Sequence, residues 1–188
     1  MKVLVAYASR HGATAGIAER IATRMRDRGM EAEARDVDEV GEVAGYDAYV
    51  VGSAAYMFHW LKEATSFVTR NREVLAGRPT WLFSSGPLGT ELVDDEGKDV
   101  LEESRPREFD ELHDMVRPRD EHVFFGAWDP DAPPKGMAER VFRLMPISKE
   151  VLPVGDFRDW EAIDSWADEI VAALGVGEPS GETSTSRS

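Results

Sequence analysis

Val3-Leu4-Val5-Ala6-Tyr7-Ala8-Ser9-Arg10-His11-Gly12-Ala13-Thr14-Ala15-Gly16 decides how this chain folds. Val3–Ala8 is apolar on both faces, as a central strand of a parallel sheet must be. Small and hydroxylated residues then lead, with almost no spacer, into a helical pattern over Ala13–Arg28. There Ile17, Ile21 and Met25 recur at four-residue spacing and Gly29 is the stop. A strand that ends directly in a helix gathers free backbone N–H groups and the positive end of the helix dipole at one point. That point suits a phosphate group. Ser9 and Thr14 offer hydroxyls, Gly12 and Ala13 let a ligand approach the backbone, and Arg10 or His11 offers a charge-assisted bond. The alternative duty of Ser9 or Thr14 is to cap the helix.

The alternation of strand and helix continues to the end of the chain. Glu31–Arg35, Tyr46–Gly52, Thr80–Ser84 and Val123–Ala127 read as further strands. His59–Ala76, Phe109–Val116 and Trp160–Leu174 read as helices. The expectation is an α/β fold, a doubly wound five-stranded parallel sheet with helices on both faces, in one domain over residues 1–174. Residues 175–188, rich in Gly, Ser, Thr and Pro, read as a disordered tail. Ligands of such sheets sit beyond the carboxyl ends of the strands. After the third strand stand Ser53, Ala54, Ala55, Tyr56 and Met57. After the fourth stand Ser84, Ser85, Gly86, Pro87, Leu88 and Gly89. Both stretches are uncharged and mostly small, suited to gripping the edges of a flat heterocycle through backbone hydrogen bonds. Trp60 belongs either to this rim or to the core.

The absences narrow the chemistry. There is no cysteine, so disulfides and thiolate chemistry are excluded. The dinucleotide fingerprint, the Gly-Lys-Ser/Thr triphosphate loop and the Gly-x-Ser-x-Gly elbow are missing. The acidic strand ends of a phospho-acceptor domain are replaced by Ala8-Ser9 and Gly52-Ser53. His11, His59, His113 and His122 lack metal-ligand spacing, so no metal is expected, and no residue stands out as a general acid or base. The net charge of −14 opposes nucleic-acid binding. Thirteen Asp and Glu against five Lys and Arg crowd residues 91–121, a candidate docking surface for basic partners. Residues 135–149 are basic and partly apolar, and read either as a helix packed on the sheet or as a peripheral membrane contact. No apolar run approaches the roughly 20 residues a membrane span requires. The N-terminus opens on a strand instead of a signal peptide, so a cytoplasmic location is expected.

The opening Lys2–Ser9 with Gly12 and Thr14, the strand Tyr46–Ser53 and the Ser84-Ser85-Gly86 loop together resemble the flavodoxin family, across residues 1 to about 174. The resemblance implies strand order 2-1-3-4-5 and bound FMN. Its phosphate would lie on Ser9–Thr14 and its isoalloxazine between Ser53–Met57 and Ser84–Gly89. Gly52-Ser53-Ala54-Ala55-Tyr56 leading to His59, the strand Val123–Ala127, the extra segment Asp129–Asp156 and Asp159-Trp160-Glu161-Ala162 are similar to the branch of menaquinone-dependent protoporphyrinogen dehydrogenases. That implies an oxidoreductase acting on a quinone or porphyrinogen. The alternative is a small electron carrier that docks basic redox proteins.

Overall fold

Side chains alternate along β1 (Lys2–Ala8), sending Val3 and Val5 to one face of the sheet and Leu4 and Ala6 to the other. Each of the four is fully buried, so β1 is covered on both sides. A computed structural model describes residues 1–129 and 153–175. After β1 come α1 (Ala13–Asp27), β2 (Glu31–Asp36), β3 (Ala48–Tyr56) and β4 (His59–Trp60). They are followed by α2 (Lys62–Arg70), α3 (Arg72–Ala76), β5 (Thr80–Ser85), α4 (Val100–Glu103), α5 (Phe109–Val116), β6 (Glu121–Phe124) and β7 (Ala127–Trp128). β8 (Gly155–Asp156) pairs antiparallel with β7, and α6 (Trp160–Ala173) closes the fold. The parallel sheet runs β2-β1-β3-β5-β6, with β4 folded back antiparallel on β3. This is the five-stranded doubly wound order expected above.

Two cores flank the sheet. One joins Val3, Val5 and Phe83 to Ile17 and Ile21 of α1 and Ile163 and Ile170 of α6. The other joins Leu4, Tyr49 and Leu82 to Phe67 of α2 and Phe109 and Leu112 of α5. Gly52 lies in β3 because Phe83 of β5 needs the space; a Cβ there would overlap the phenyl ring.

Three elements differ from the sequence reading. Ser53–Tyr56 are strand, not loop: β3 runs on past Gly52 and turns back at Met57-Phe58, so that Ala55 and Tyr56 pair with Trp60 and His59. The helix expected over His59–Ala76 starts only at Lys62 and breaks at Asn71, whose side-chain Nδ2 donates to the Phe67 carbonyl (2.9 Å) and competes with the backbone. The strand expected at Val123–Ala127 lies at β6, after which Gly126 N–H turns to the Pro87 carbonyl (2.9 Å). The segment 135–149 and the tail beyond residue 175 lie outside the described residues. No helix among the described residues is long and apolar enough to cross a membrane.

Candidate ligand site at the carboxyl edge of the sheet

Strand register brings the sequence-predicted stretches to one edge. Ala8 pairs with Ser53, Ser53 with Ser84, and Ala54 with Ser85, so three strand ends stand in a row. The loops after β3 and β5 meet at Ala55 and Gly86, where a Cβ on the glycine would stand 3.7 Å from the Ala55 methyl.

The first loop is prepared by its own backbone. Gly12 takes the N-cap position of α1 with φ +86°, a left-handed conformation that glycine adopts without strain. Its N–H donates to Ser9 Oγ (3.1 Å). No side chain caps α1, so neither Ser9 nor Thr14 performs the capping duty that the sequence left open. α4 and α6, by contrast, are capped by the carboxylates of Asp99 and Asp159. The first-turn N–H groups of α1 have no intrahelical acceptor, and its first turn holds no acidic residue. Thr14 is fully buried and its hydroxyl has no partner, a loss of about 1–3 kcal/mol unless something else supplies one. Arg10 reaches across to Glu63 in the first turn of α2 (2.6 Å). His11 packs edge-on against Trp128 at 4.5 Å and lies 6.2 Å from the Tyr56 ring.

The second stretch forms the hairpin. Ser53 is buried, its hydroxyl donating to the Ala54 carbonyl (2.9 Å) and accepting from Leu61 N–H (3.1 Å), which pins the start of α2. Tyr56, Met57 and Phe58 are exposed, Met57 by 88%, and Met57 and Phe58 both take positive φ without being glycine. Such a turn costs energy and is held from outside. Glu108 pairs with His59 Nδ1 (2.7 Å) and accepts from Trp60 N–H (3.1 Å), while Arg107 N–H donates to the Phe58 carbonyl (2.9 Å). Burial pushes the Glu108 carboxyl up, but these bonds outweigh it and leave the group below its ordinary value. Trp60 itself is core, packed edge-on against Phe109 at 5.2 Å.

In the third stretch Ser84 is buried with no partner for its hydroxyl. Ser85 is buried, and Gly86, Pro87, Leu88 and Gly89 are half-buried. Trp60 Nε1 and Glu63 Oε2 are also shielded and unpartnered. These atoms, with Thr14 Oγ1, belong to the carboxyl edge. At the opposite edge a groove of about 530 Å³ lies among Trp81, Arg119 and Trp166, where Arg119, Asp120 and Trp166 are paired. Trp166 Nε1 donates to Asp120 (2.6 Å) and Arg119 to the Ala173 carbonyl (3.0 Å). Open hydrogen-bonding capacity therefore marks the carboxyl edge as the site. Among the described residues no acidic or histidine cluster is placed to hold a metal ion.

Sequence reasoning missed Glu63, Glu108, Trp128 and Arg158 at this edge. Only Arg158 had a readable signal. Gly16, in a helix interior where glycine is about 1 kcal/mol worse than alanine, announces a close approach by something else.

A family model described as a flavodoxin domain matches residues 4–131. The chain belongs to the flavodoxin domain family. None of the curated proteins searched matches it. The flavodoxin fold is seen again in the rubredoxin oxygen:oxidoreductase of Desulfovibrio gigas, with TM-score 0.58, 16% identity and 93% of this chain covered; the chain covers only 36% of that protein. An archaeal flavodoxin matches with TM-score 0.56, 16% identity and coverage of 93% and 99%. A point variant of a flavodoxin from Pseudomonas aeruginosa matches with TM-score 0.57, 17% identity and the same coverage. At such identities these likenesses establish the fold.

Proposed function

We propose that the chain is an FMN-binding redox protein whose binding edge is Ser9–Thr14, Ser53–Met57 and Ser84–Gly89, within a domain of residues 1–174. Proteins of the flavodoxin family bind FMN. The observation that carries the reading is the buried, unpartnered Thr14 hydroxyl beside an uncapped helix start with no carboxylate in its first turn. Neutral donors of this kind fit a phosphate on a protein of net charge −14. The small residues Ala54, Ala55, Ser85 and Gly86 fit the edges of a flat ring system.

When bound, FMN supplies one- and two-electron exchange. The chain's residues bind, orient and shield. Gly12 shapes the phosphate loop, Ser53 fixes the start of α2, and Glu108 sets the height of the hairpin. The exposed Tyr56-Met57-Phe58 tip offers an apolar surface at the rim. That surface favours a flat, apolar acceptor, a quinone or porphyrinogen, in line with the branch the sequence resembles. The acidic stretch 91–121 favours the second reading, a carrier that docks basic redox proteins.

Absorption spectra of the purified protein before and after adding FMN test the cofactor; flavin bands that stay with the protein through gel filtration are expected. A protein that remains colourless with excess FMN overturns the reading. Turnover of a quinone by the flavin-loaded protein alone supports the enzyme. Reduction of a basic partner that collapses with rising salt supports the carrier.

A further inference from the structure

Gly16 has no conformational reason to be glycine. It lies in the first turns of α1 with no positive φ, where alanine would stabilise the helix. Its reason is space. A Cβ there would overlap the Nη1 atom of Arg158 and stand 3.8 Å from the Trp160 ring. The Arg158 guanidinium is thus laid across α1, with Trp160 stacked on it at 4.4 Å. Asp156 grips Nε (2.7 Å) and Nη2 (2.6 Å), a two-pronged pairing that fixes the plane of the group. Nη1 is left facing the helix start, where its contact is a long one to the Ala13 carbonyl (3.3 Å).

This is the wrong end of a helix for a cation. The N-terminus of α1 carries the positive end of the dipole and no acidic residue to offset it. Arg10, the other guanidinium at this loop, is already committed to Glu63. The Asp156 carboxylate balances the Arg158 charge through Nε and Nη2, and Nη1, held at the positive helix end by one long bond, is the donor that an anion there would engage.

Resting on the FMN reading above, we propose that Arg158 is the counter-charge for the FMN phosphate, delivered to the start of α1 by residues 153–159. Asp156 and Trp160 hold it in position, and Gly16 is the gap that lets it in. Loading of the phosphate and seating of this strap are then linked: the anion gives Nη1 an acceptor better than the Ala13 carbonyl.

The test separates the phosphate from the ring. The full-length protein, stripped of flavin, is titrated with FMN and with riboflavin by flavin fluorescence. Arg158→Gln is expected to weaken FMN binding about ten- to a hundredfold, the range of a lost charge-assisted bond, with riboflavin binding unchanged. Arg158→Lys restores part of the loss, since a point charge replaces the fork. Gly16→Ala raises helix stability yet weakens FMN in the same selective way, by displacing the guanidinium. Hydrogen exchange in residues 153–160 slows on adding FMN and not on adding riboflavin. A wild-type protein that prefers FMN, with the preference kept in Arg158→Gln, overturns the inference alone. Equal losses for FMN and riboflavin also overturn it, because the residue is then a structural clip. A wild-type protein that binds neither flavin removes the FMN reading and this inference together.

Discussion

The two ends of α1 are built on opposite rules. Along its later turns α1 meets α6 charge for charge. Arg20 forks onto Asp164 (2.6 Å for both bonds), and Arg24 and Arg28 share Asp168 at 2.7–2.9 Å. Its basic last turn also suits the negative end of the dipole. At its first turn the helix supplies nothing of its own: no side-chain cap, no acidic residue, an unpartnered buried hydroxyl, and beside it a guanidinium whose charge is met by Asp156 of the strap and not by α1. The later turns are arranged for stability, and the first turn gives stability up. Binding capacity is what remains where a helix is left incomplete, so mutations should separate the two ends cleanly.

The largest effect should come from the seam. Ile163 is fully buried between α6 and the sheet. Ile163→Ala should cost about 3 kcal/mol in urea unfolding, from lost burial and the cavity left behind. The folded fraction should keep its FMN affinity. A loss of FMN affinity as large as the loss of stability would mean that the two ends are one unit. Next in size, Thr14→Val should act with opposite signs on the two properties. Removing an unsatisfied buried hydroxyl should raise the unfolding free energy of the flavin-free protein by about 1 kcal/mol. FMN affinity should drop about tenfold, the worth of one hydrogen bond to a charged group. Unchanged FMN affinity in a stabilised variant would show that the hydroxyl was idle.

What the sequence disclosed follows the same division. Strand periodicity and the abrupt strand-to-helix junction are local, so β1, α1 and the loop Ser9–Thr14 could be read directly. The alternative that Ser9 or Thr14 caps α1 was also local, and it failed because Gly12 turns through φ +86° at the cap position. The hairpin at Met57-Phe58 was hidden because neither residue signals a left-handed turn; β-hairpin turns of this kind normally carry Asn or Gly. Its support by Glu108 comes from 49 positions away in the chain, and Arg158 reaches Ala13 across 145. Contacts of that range leave no periodic trace. Gly16 was the single local mark of either, and only as an unexplained cost.

The smallest effect concerns pH. The Arg24 and Arg28 guanidinia hold the Asp168 carboxyl well below its ordinary value, and Arg20 does the same to Asp164. A carboxyl depressed in the fold stabilises it above the unfolded value, about pH 3.9, and loses that contribution as pH falls through the folded value. Both side chains are partly exposed, 32% and 19%, so solvent and salt screen the pairs. Asp168→Asn should therefore cost no more than about 1 kcal/mol at neutral pH. Its stability should fall less steeply than wild type between about pH 4 and pH 2, and the two curves should converge in acid. FMN affinity at neutral pH should not change, because the seam is charge-matched and does not face the open helix start. A steep acid limb that survives in Asp168→Asn would move the pH dependence to other carboxylates, such as Asp156 under Arg158. The strap, not the seam, would then be the acid-sensitive part, and the contrast between the two ends would be the reverse of the one drawn here.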